Sequence, residues 1–283
     1  MEEMKATEQP SLAEQSNKVS RVVGVMSGKG GVGKSLVTGL LATALRKQGS
    51  TVGILDADIT GPSIPRMFGV TDRPDATELG IFPPSAESGI KIVSINLFLS
   101  KPDDAVIWRG PMISGTIKQF WTEVFWGDLD YLLIDLPPGT ADAPLTVMQS
   151  LPMDCTVIVT SPQELAAMVV RKAVSMCRQL EVPILGLVQN MAWMDCPSCK
   201  ERVYPFGKTD GNTLAAEMGI PYLLDIPIDP HISRLADEGM IERYEANPFV
   251  NMISAITNSI ESIAKSKEAG VSGESHHCSR QPG

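Results

Sequence analysis

The chain has 283 residues, 43% of them hydrophobic, enough for one large α/β domain with a substantial core. A net charge of -9, a pI of about 4.9 and 5% aromatic residues leave no basic face for phosphates and little for stacking on bases, so no nucleic-acid partner is expected. No apolar run is long enough to span a bilayer, and the polar start with Glu2, Glu3 and Glu14 lacks the basic and apolar parts of a secretory signal; no membrane partner and a cytoplasmic location are expected.

Residues 1–20 read as a flexible leader, 21–265 as one folded domain and 266–283 as a mobile polar tail. The apolar run Arg21 to Met26 reads as a buried strand, and Leu36 to Lys47 as a helix. Between them stands Gly28-Lys29-Gly30-Gly31-Val32-Gly33-Lys34-Ser35. Its G-x-x-x-x-G-K-[ST] spacing, set between strand and helix, is that of a phosphate-binding P-loop. The glycines turn the backbone so that successive N–H groups face phosphate oxygens, aided by the helix N-terminus. Lys34 then reaches the β/γ-phosphates, and the Ser35 hydroxyl falls on Mg²⁺.

A second strand, Thr51 to Leu55, ends in Asp56-Ala57-Asp58. Residues 59–74 hold Gly61, Pro62, Pro65 and Gly69, and read as a loop with at most one short helix around Ser63 to Phe68. A surface loop over 75–89 precedes a strand at Ile90 to Ile95 and a helix at Pro111 to Phe125. Tyr131 to Ile134 is a buried strand closed by Asp135-Leu136-Pro137-Pro138-Gly139-Thr140, with Asp142 as a candidate cap for a helix after it. Cys155 to Val159 is another strand, then a helix from Pro162 or Gln163 to Leu180, then a strand from Ile184 to Val188 leading into Gln189-Asn190. A loop at 191–211 carries Cys196 and Cys199; a short helix (Asn212 to Met218), a last strand (Tyr222 to Ile226), Pro227-Ile228-Asp229-Pro230 and a final helix (Pro248 to Lys265) complete the domain. Buried runs alternating with helices predict a single α/β domain of the P-loop NTPase kind, its sheet mostly parallel and covered by helices on both faces. Ligands bind such sheets at the carboxyl ends of the strands, which singles out the loops starting at Ser27, Asp56, Asp135, Ser161, Asn190 and Pro227.

Asp135 ends a buried strand, where a carboxylate can hold Mg²⁺ directly or through water. Lys29, directly after the first glycine of the P-loop, resembles the early lysine in the deviant Walker A motif of the MinD/ParA and nitrogenase-iron-protein ATPases. That resemblance implies a nucleotide-sandwich homodimer in which Lys29 reaches the partner's ATP, as an arginine finger does. It also implies that Asp58 orients the attacking water and that Asp56 meets Mg²⁺-bound water. By the same resemblance Gly139 would let a backbone N–H approach the γ-phosphate and Asn190 would contact adenine, while Pro227, Ile228 and Asp229, following the last strand, are placed to close the other side of the base pocket.

Five cysteines with only Cys196 and Cys199 close together are no disulfide framework. The pair lies on a loop and not at a helix start, which favours metal ligation over thioredoxin-like redox chemistry. Two thiolates are half a site, since tetrahedral Zn²⁺ or a [4Fe–4S] cluster takes four. Cys155 and Cys177 read as core residues and Cys278 lies in the tail, so a second copy of the loop across a two-fold axis is the economical completion.

The P-loop, Asp-Ala-Asp-Ile-Thr-Gly-Pro-Ser-Ile-Pro (56–65), Trp108-Arg109-Gly110-Pro111-Met112, Asp-Leu-Pro-Pro-Gly-Thr (135–140), Asn190-Met191 and Cys-Pro-Ser-Cys (196–199) together resemble the Mrp/ApbC family. The resemblance implies an ATPase that assembles a [4Fe–4S] cluster, bridged between two subunits by both Cys196 and both Cys199, and passes it to apo iron–sulfur proteins. Residues 1–20 hold no cysteine, so the second, N-terminal cluster of some relatives is not expected. Trp193 and Met194 either shield the cluster or pack a dimer interface; His231 reads as a cap or surface residue, and His276-His277-Cys278 as a disordered end. The alternatives are a MinD/ParA-type positioning ATPase, which leaves the cysteine pair without a purpose, and a zinc-bridged dimeric ATPase. Phe249, Val250, Ile253, Ile256, Ile260 and Ile263 recur at helical spacing without strongly basic flanks, which fits a helix packed on the sheet better than a membrane helix.

Overall fold

The apolar run after Arg21 becomes the middle of a seven-stranded sheet. The computed structural model describes residues 10–58, 61, 63–98, 110–163 and 166–274. A short helix α1 (Leu12–Ser16) precedes β1 (Lys18–Ser27); α2 (Lys34–Lys47) leads to β2 (Val52–Asp56) and the single turn α3 (Ile64–Met67). A small hairpin, β3 (Asp75–Thr77) and β4 (Gly80–Phe82), is followed by β5 (Lys91–Ser94), α4 (Gly110–Thr122), β6 (Asp128–Asp135), α5 (Asp142–Ser150), β7 (Cys155–Thr160), α6 (Ala166–Gln179) and β8 (Ile184–Asn190). A second hairpin, β9 (Met194–Asp195) and β10 (Arg202–Val203), precedes α7 (Gly211–Glu217), β11 (Tyr222–Ile226), α8 (Pro230–Asp237) and α9 (Ile253–Glu274).

The sheet runs β11-β8-β7-β1-β6-β2-β5 with every pairing parallel. Strand alternation sorts the core into two layers. Val23, Val25, Leu133, Val157 and Val159 belong to the layer with Leu40 and Leu41 of α2 and Ile256 and Ile260 of α9. Val22, Met26, Leu132, Ile134 and Ile158 belong to the other, with Ile117 of α4, Val147 of α5 and Val174 of α6. Helices on both faces of a parallel sheet are what the buried, β-branched strands require. β1 sits between β6 and β7, so the chain's crossovers change direction beside the P-loop, the usual place for a ligand in such sheets.

Four segments differ from the sequence reading. The leader is structured from Ser11 onward: the Ser11 side chain caps α1 by accepting from the Glu14 N–H, and Ala13 is buried. The Ser11 hydroxyl also donates to the Thr122 carbonyl, and Asn17 Nδ2 donates to the Val124 carbonyl at 2.8 Å, so tertiary partners hold the segment. The surface loop at 75–89 contains the hairpin β3–β4, pinned beyond α4 by the Ile81 N–H on the Glu123 carbonyl and the Phe125 N–H on the Ile81 carbonyl. Asp142 is in the first turn of α5 and does not cap it; the N-cap is Ala141, with no side-chain bond. The final helix starts later, because buried Asn247 turns the chain by donating to the Leu40 carbonyl and accepting the Phe249 N–H. It then runs on to Glu274 through the segment read as tail, with Lys267 Nζ on the Met153 carbonyl at 2.9 Å. Ile59, Thr60, Pro62, Trp108, Arg109, His276, His277 and Cys278 lie outside the described residues. No helix of the described residues is long and apolar enough to cross a membrane.

Candidate functional site

The P-loop leaves the end of β1 and enters α2 through Gly33, which has φ 79° and offers no side-chain cap. The first N–H groups of α2 therefore lack a side-chain cap acceptor, the condition under which a helix start receives an anion. Gly31 also has a positive φ, 78°. Gly28 is required by packing: a Cβ there would fall 2.2 Å from Val169 Cγ1 and 2.6 Å from the Val169 carbonyl oxygen of α6. Gly33 is constrained twice, because a Cβ would also fall 2.2 Å from Asn190 Nδ2. Gly33→Ala is expected to cost about 2 kcal/mol of stability through the left-handed backbone and this clash, measured as a lowered midpoint in thermal unfolding.

Lys34 is buried and turned onto carboxylates: Nζ lies 2.8 Å from Asp135 Oδ2 and 3.6 Å from Asp58 Oδ2. Ser35 Oγ donates to Asp135 Oδ2 at 2.5 Å, and Thr38 Oγ1 donates to Asp135 Oδ1 at 2.7 Å. The fully buried Asp135 carboxylate is thus held by one ammonium and two hydroxyls from a single helix. The P-loop motif ends at Ser35 and does not include Thr38; the signal for Thr38 is helical spacing, three residues further along the same face. Asp56 is Asp135's register partner on the neighbouring strand. Burial and the Asp135 charge push its carboxyl well above the usual range, against the pull of Lys34 and of the Asp58 and Ile64 N–H groups at 3.2 and 3.3 Å. Ser35, Asp56 and Asp135 form an all-oxygen group of the kind Mg²⁺ accepts, and a cation there would reverse the penalty on Asp56.

Lys29 meets the Gln163 side chain at the approach to α6. Gly139 has φ 94°, and its N–H donates to the Ser27 carbonyl at 2.9 Å. Buried Asn190 donates from Nδ2 to the Val32 carbonyl at 2.9 Å, tying β8 to the P-loop. Pro227 and Ile228 follow β11, with the Ile228 N–H on the Trp193 carbonyl at 2.6 Å. Asp229 is the N-cap of α8: Oδ1 accepts from the His231 N–H at 2.8 Å and Oδ2 from the Tyr244 hydroxyl at 2.9 Å, which leaves His231 itself exposed.

Cys196 and Cys199 sit in the turn of the β9–β10 hairpin. The turn is closed by the Cys196 N–H on the Glu201 carbonyl and the Lys200 N–H on the Cys196 carbonyl, both 2.9 Å, with Lys200 in the left-handed region at φ 61°. The N–H groups of Cys199 and Ser198 point at the Cys196 sulfur and draw its pKa down. Cys199 is exposed, 3.7 Å from Glu201 Oε2. The two core cysteines are chemically distinct: burial pushes the Cys155 thiol up to about 12 and raises Cys177, which lies 3.2 Å from Met26 Sδ. Trp193 carries the Arg202 guanidinium 4.4 Å over its ring, and Val203 and Phe206 beside the turn are exposed. Among the described residues no three His, Cys, Asp or Glu converge as a metal site, so the cysteine turn supplies two ligands and no more.

A parallel sheet, a P-loop at its switch point and a carboxylate ending the adjacent strand define a P-loop NTPase. The sequence model of the ParA family, described as NUBPL iron-transfer P-loop NTPase, matches residues 18–263, and the chain belongs to that family. An iron–sulfur cluster carrier protein from Clostridium perfringens is 43% identical over 244 residues, 83% of this chain and 86% of that one. Its counterpart from Methanocaldococcus jannaschii is 42% identical over 262 residues, 90% of each chain. Among solved structures, a nucleotide-binding protein from Archaeoglobus fulgidus in complex with ADP superposes with a TM-score of 0.75 at 46% identity, covering 84% of this chain and 94% of that one. The MinD cell division ATPase of Pyrococcus furiosus shares the fold at a TM-score of 0.60 and 23% identity, over 87% of this chain and 100% of that one.

Proposed function

We propose that this protein is an ATP-hydrolysing iron–sulfur cluster carrier, acting as a cytoplasmic homodimer that passes a [4Fe–4S] cluster to apo-proteins. One observation carries the reading: a half-complete, thiolate-favouring cysteine turn, on a hairpin that follows β8 of the main sheet, accompanies a P-loop whose Lys29 turns to Gln163. Both features are completed by a second copy of the chain. The relatives at 42–43% identity are named as iron–sulfur cluster carriers, which supports the choice of cargo.

In this reading the P-loop N–H groups from Gly28 to Gly33 cradle the phosphates, and Lys34 leaves Asp135 to take β/γ-oxygens. Mg²⁺ held by Ser35, Asp135 and Asp56 would neutralise phosphate charge. Asp58, buried beside Lys34, orients the attacking water, and Lys29 swings from Gln163 to the partner's phosphates. Asn190 and Pro227 face the base; Asp229 contributes by capping α8 and setting the loop's course. Cys196 and Cys199 hold the cluster with their symmetry mates, four thiolates in all.

The test is anaerobic reconstitution with iron and sulfide, followed by metal and sulfide analysis and measurement of the oligomeric mass. Iron and sulfide in equal amounts, one cluster per two chains, support the reading. Zinc without sulfide, or a monomer that carries cluster, sinks it.

A further inference from the structure

The nucleotide loop and the cysteine loop meet at the end of one strand. Successive residues of β8 face opposite sides of the sheet, and the last two hold different partners. Asn190 faces the P-loop through the Val32 carbonyl and lies directly beneath Gly33. Gln189, equally buried, faces the far end of the cysteine loop. Its Nε2 donates to the Thr209 carbonyl and to Asp225 Oδ1, each at 3.1 Å, and its Oε1 accepts from the Thr209 hydroxyl at 3.4 Å. Gly211, the first residue of α7, packs on the same side chain: a Cβ there would fall 3.2 Å from both Cβ and Oε1 of Gln189 and 2.7 Å from Tyr222 Cε2. The near end of the loop leaves Asn190 through Met191, held in the left-handed region at φ 59°, and is fixed to β11 by the Ala192 N–H on the Ile226 carbonyl at 2.9 Å.

We propose that Gln189 and Asn190 form a joint that transmits the nucleotide state to the cysteine turn. The P-loop residues whose N–H groups would receive phosphate, Val32 and Gly33, are the ones that rest on Asn190. A shift there moves the strand end, and Gln189 carries the shift to Thr209 and so to the exit of the loop bearing Cys196 and Cys199. Gln189 is a positioning residue: its bonds go to Thr209 and Asp225, outside the phosphate cradle and the cysteine pair. The joint rests on the carrier reading for its purpose, but its test needs no cluster.

The measurement is hydrogen exchange of the full chain, with and without Mg-ATP, in wild type and in Gln189→Met, which keeps the side chain's length and removes its donors and acceptor. Wild type is expected to gain protection over residues 28–38 and to change exchange over 194–208. Gln189→Met is expected to keep the first response, with ATP affinity within roughly threefold of wild type, and to lose at least about half of the second, as a lost coupling requires. A wild-type cysteine loop that ignores Mg-ATP, or a variant that responds as wild type does, overturns the joint. If residues 28–38 ignore Mg-ATP, the nucleotide reading falls and the joint with it. Failure to bind cluster on reconstitution would instead remove the carrier reading alone. Should Gln189→Met not fold, Asp225→Val combined with Thr209→Val removes two of the three contacts from the other side and is read in the same way.

Discussion

Cys196→Ser is expected to leave anaerobic reconstitution with at least ~10-fold less bound iron and sulfide than wild type, since even the loss of a supporting group around a metal costs that much. A serine hydroxyl is a poor ligand for iron held among thiolates, and the Ser198 and Cys199 N–H groups would lose the sulfur they stabilise. Because the turn is at the surface and Cys196 makes no core contact of the kind Cys177 makes with Met26, thermal unfolding and ATP binding should stay at wild-type values. Cys177→Ala is the control: it should lower stability through a small cavity and leave cluster content unchanged. Normal cluster content in Cys196→Ser would remove the bridging arrangement.

Lys34→Ala should reduce ATP hydrolysis about 1000-fold, the upper range for deleting one preorganised charge donor. It should also lower stability, because Asp135 and Asp58 lose their buried ammonium while Asp56 remains close by. Breaking a buried ion pair from one side costs about 3 kcal/mol, which for a domain of this size lowers the melting temperature by roughly 10 °C. Assaying well below the new midpoint separates the two effects. Hydrolysis that survives in a folded Lys34→Ala protein would mean that the ammonium does not act on the phosphates.

Both variants address residues legible in the sequence, and for the same reason. A P-loop is a local string with fixed spacing, a carboxylate closing a buried strand is visible from its flanks, and two cysteines three positions apart need no fold to be noticed. The parallel sheet was legible too, because fully buried strands read as continuous apolar runs. What stayed hidden depends on contacts distant in sequence. The helix α1 is five residues long and has nothing periodic about it; its hold comes from Ser11 reaching Thr122, 111 positions away. The β3–β4 hairpin has one strand wholly exposed, so no alternation marks it. Thr38 becomes visible as a site residue only when Asp135 is placed beside α2. Asp229 read as part of a base pocket, although Asp before Pro at a helix start is equally an N-cap signature, and its carboxylate serves that cap. The N–H groups aimed at Cys196 arise from the bend of the turn, which the residue names do not encode.

The cysteine turn is built on strands of two residues each, following β8, whereas the P-loop springs from the central strand β1, paired with β6 from Lys18 to Val25 and with β7 from Val23 to Ser27. Such a gradient lets the periphery open by local unfolding at a small fraction of the free energy that would open the centre. On the carrier reading, the turn can therefore open and reclose many times within the lifetime of one folded molecule while the nucleotide platform stays intact.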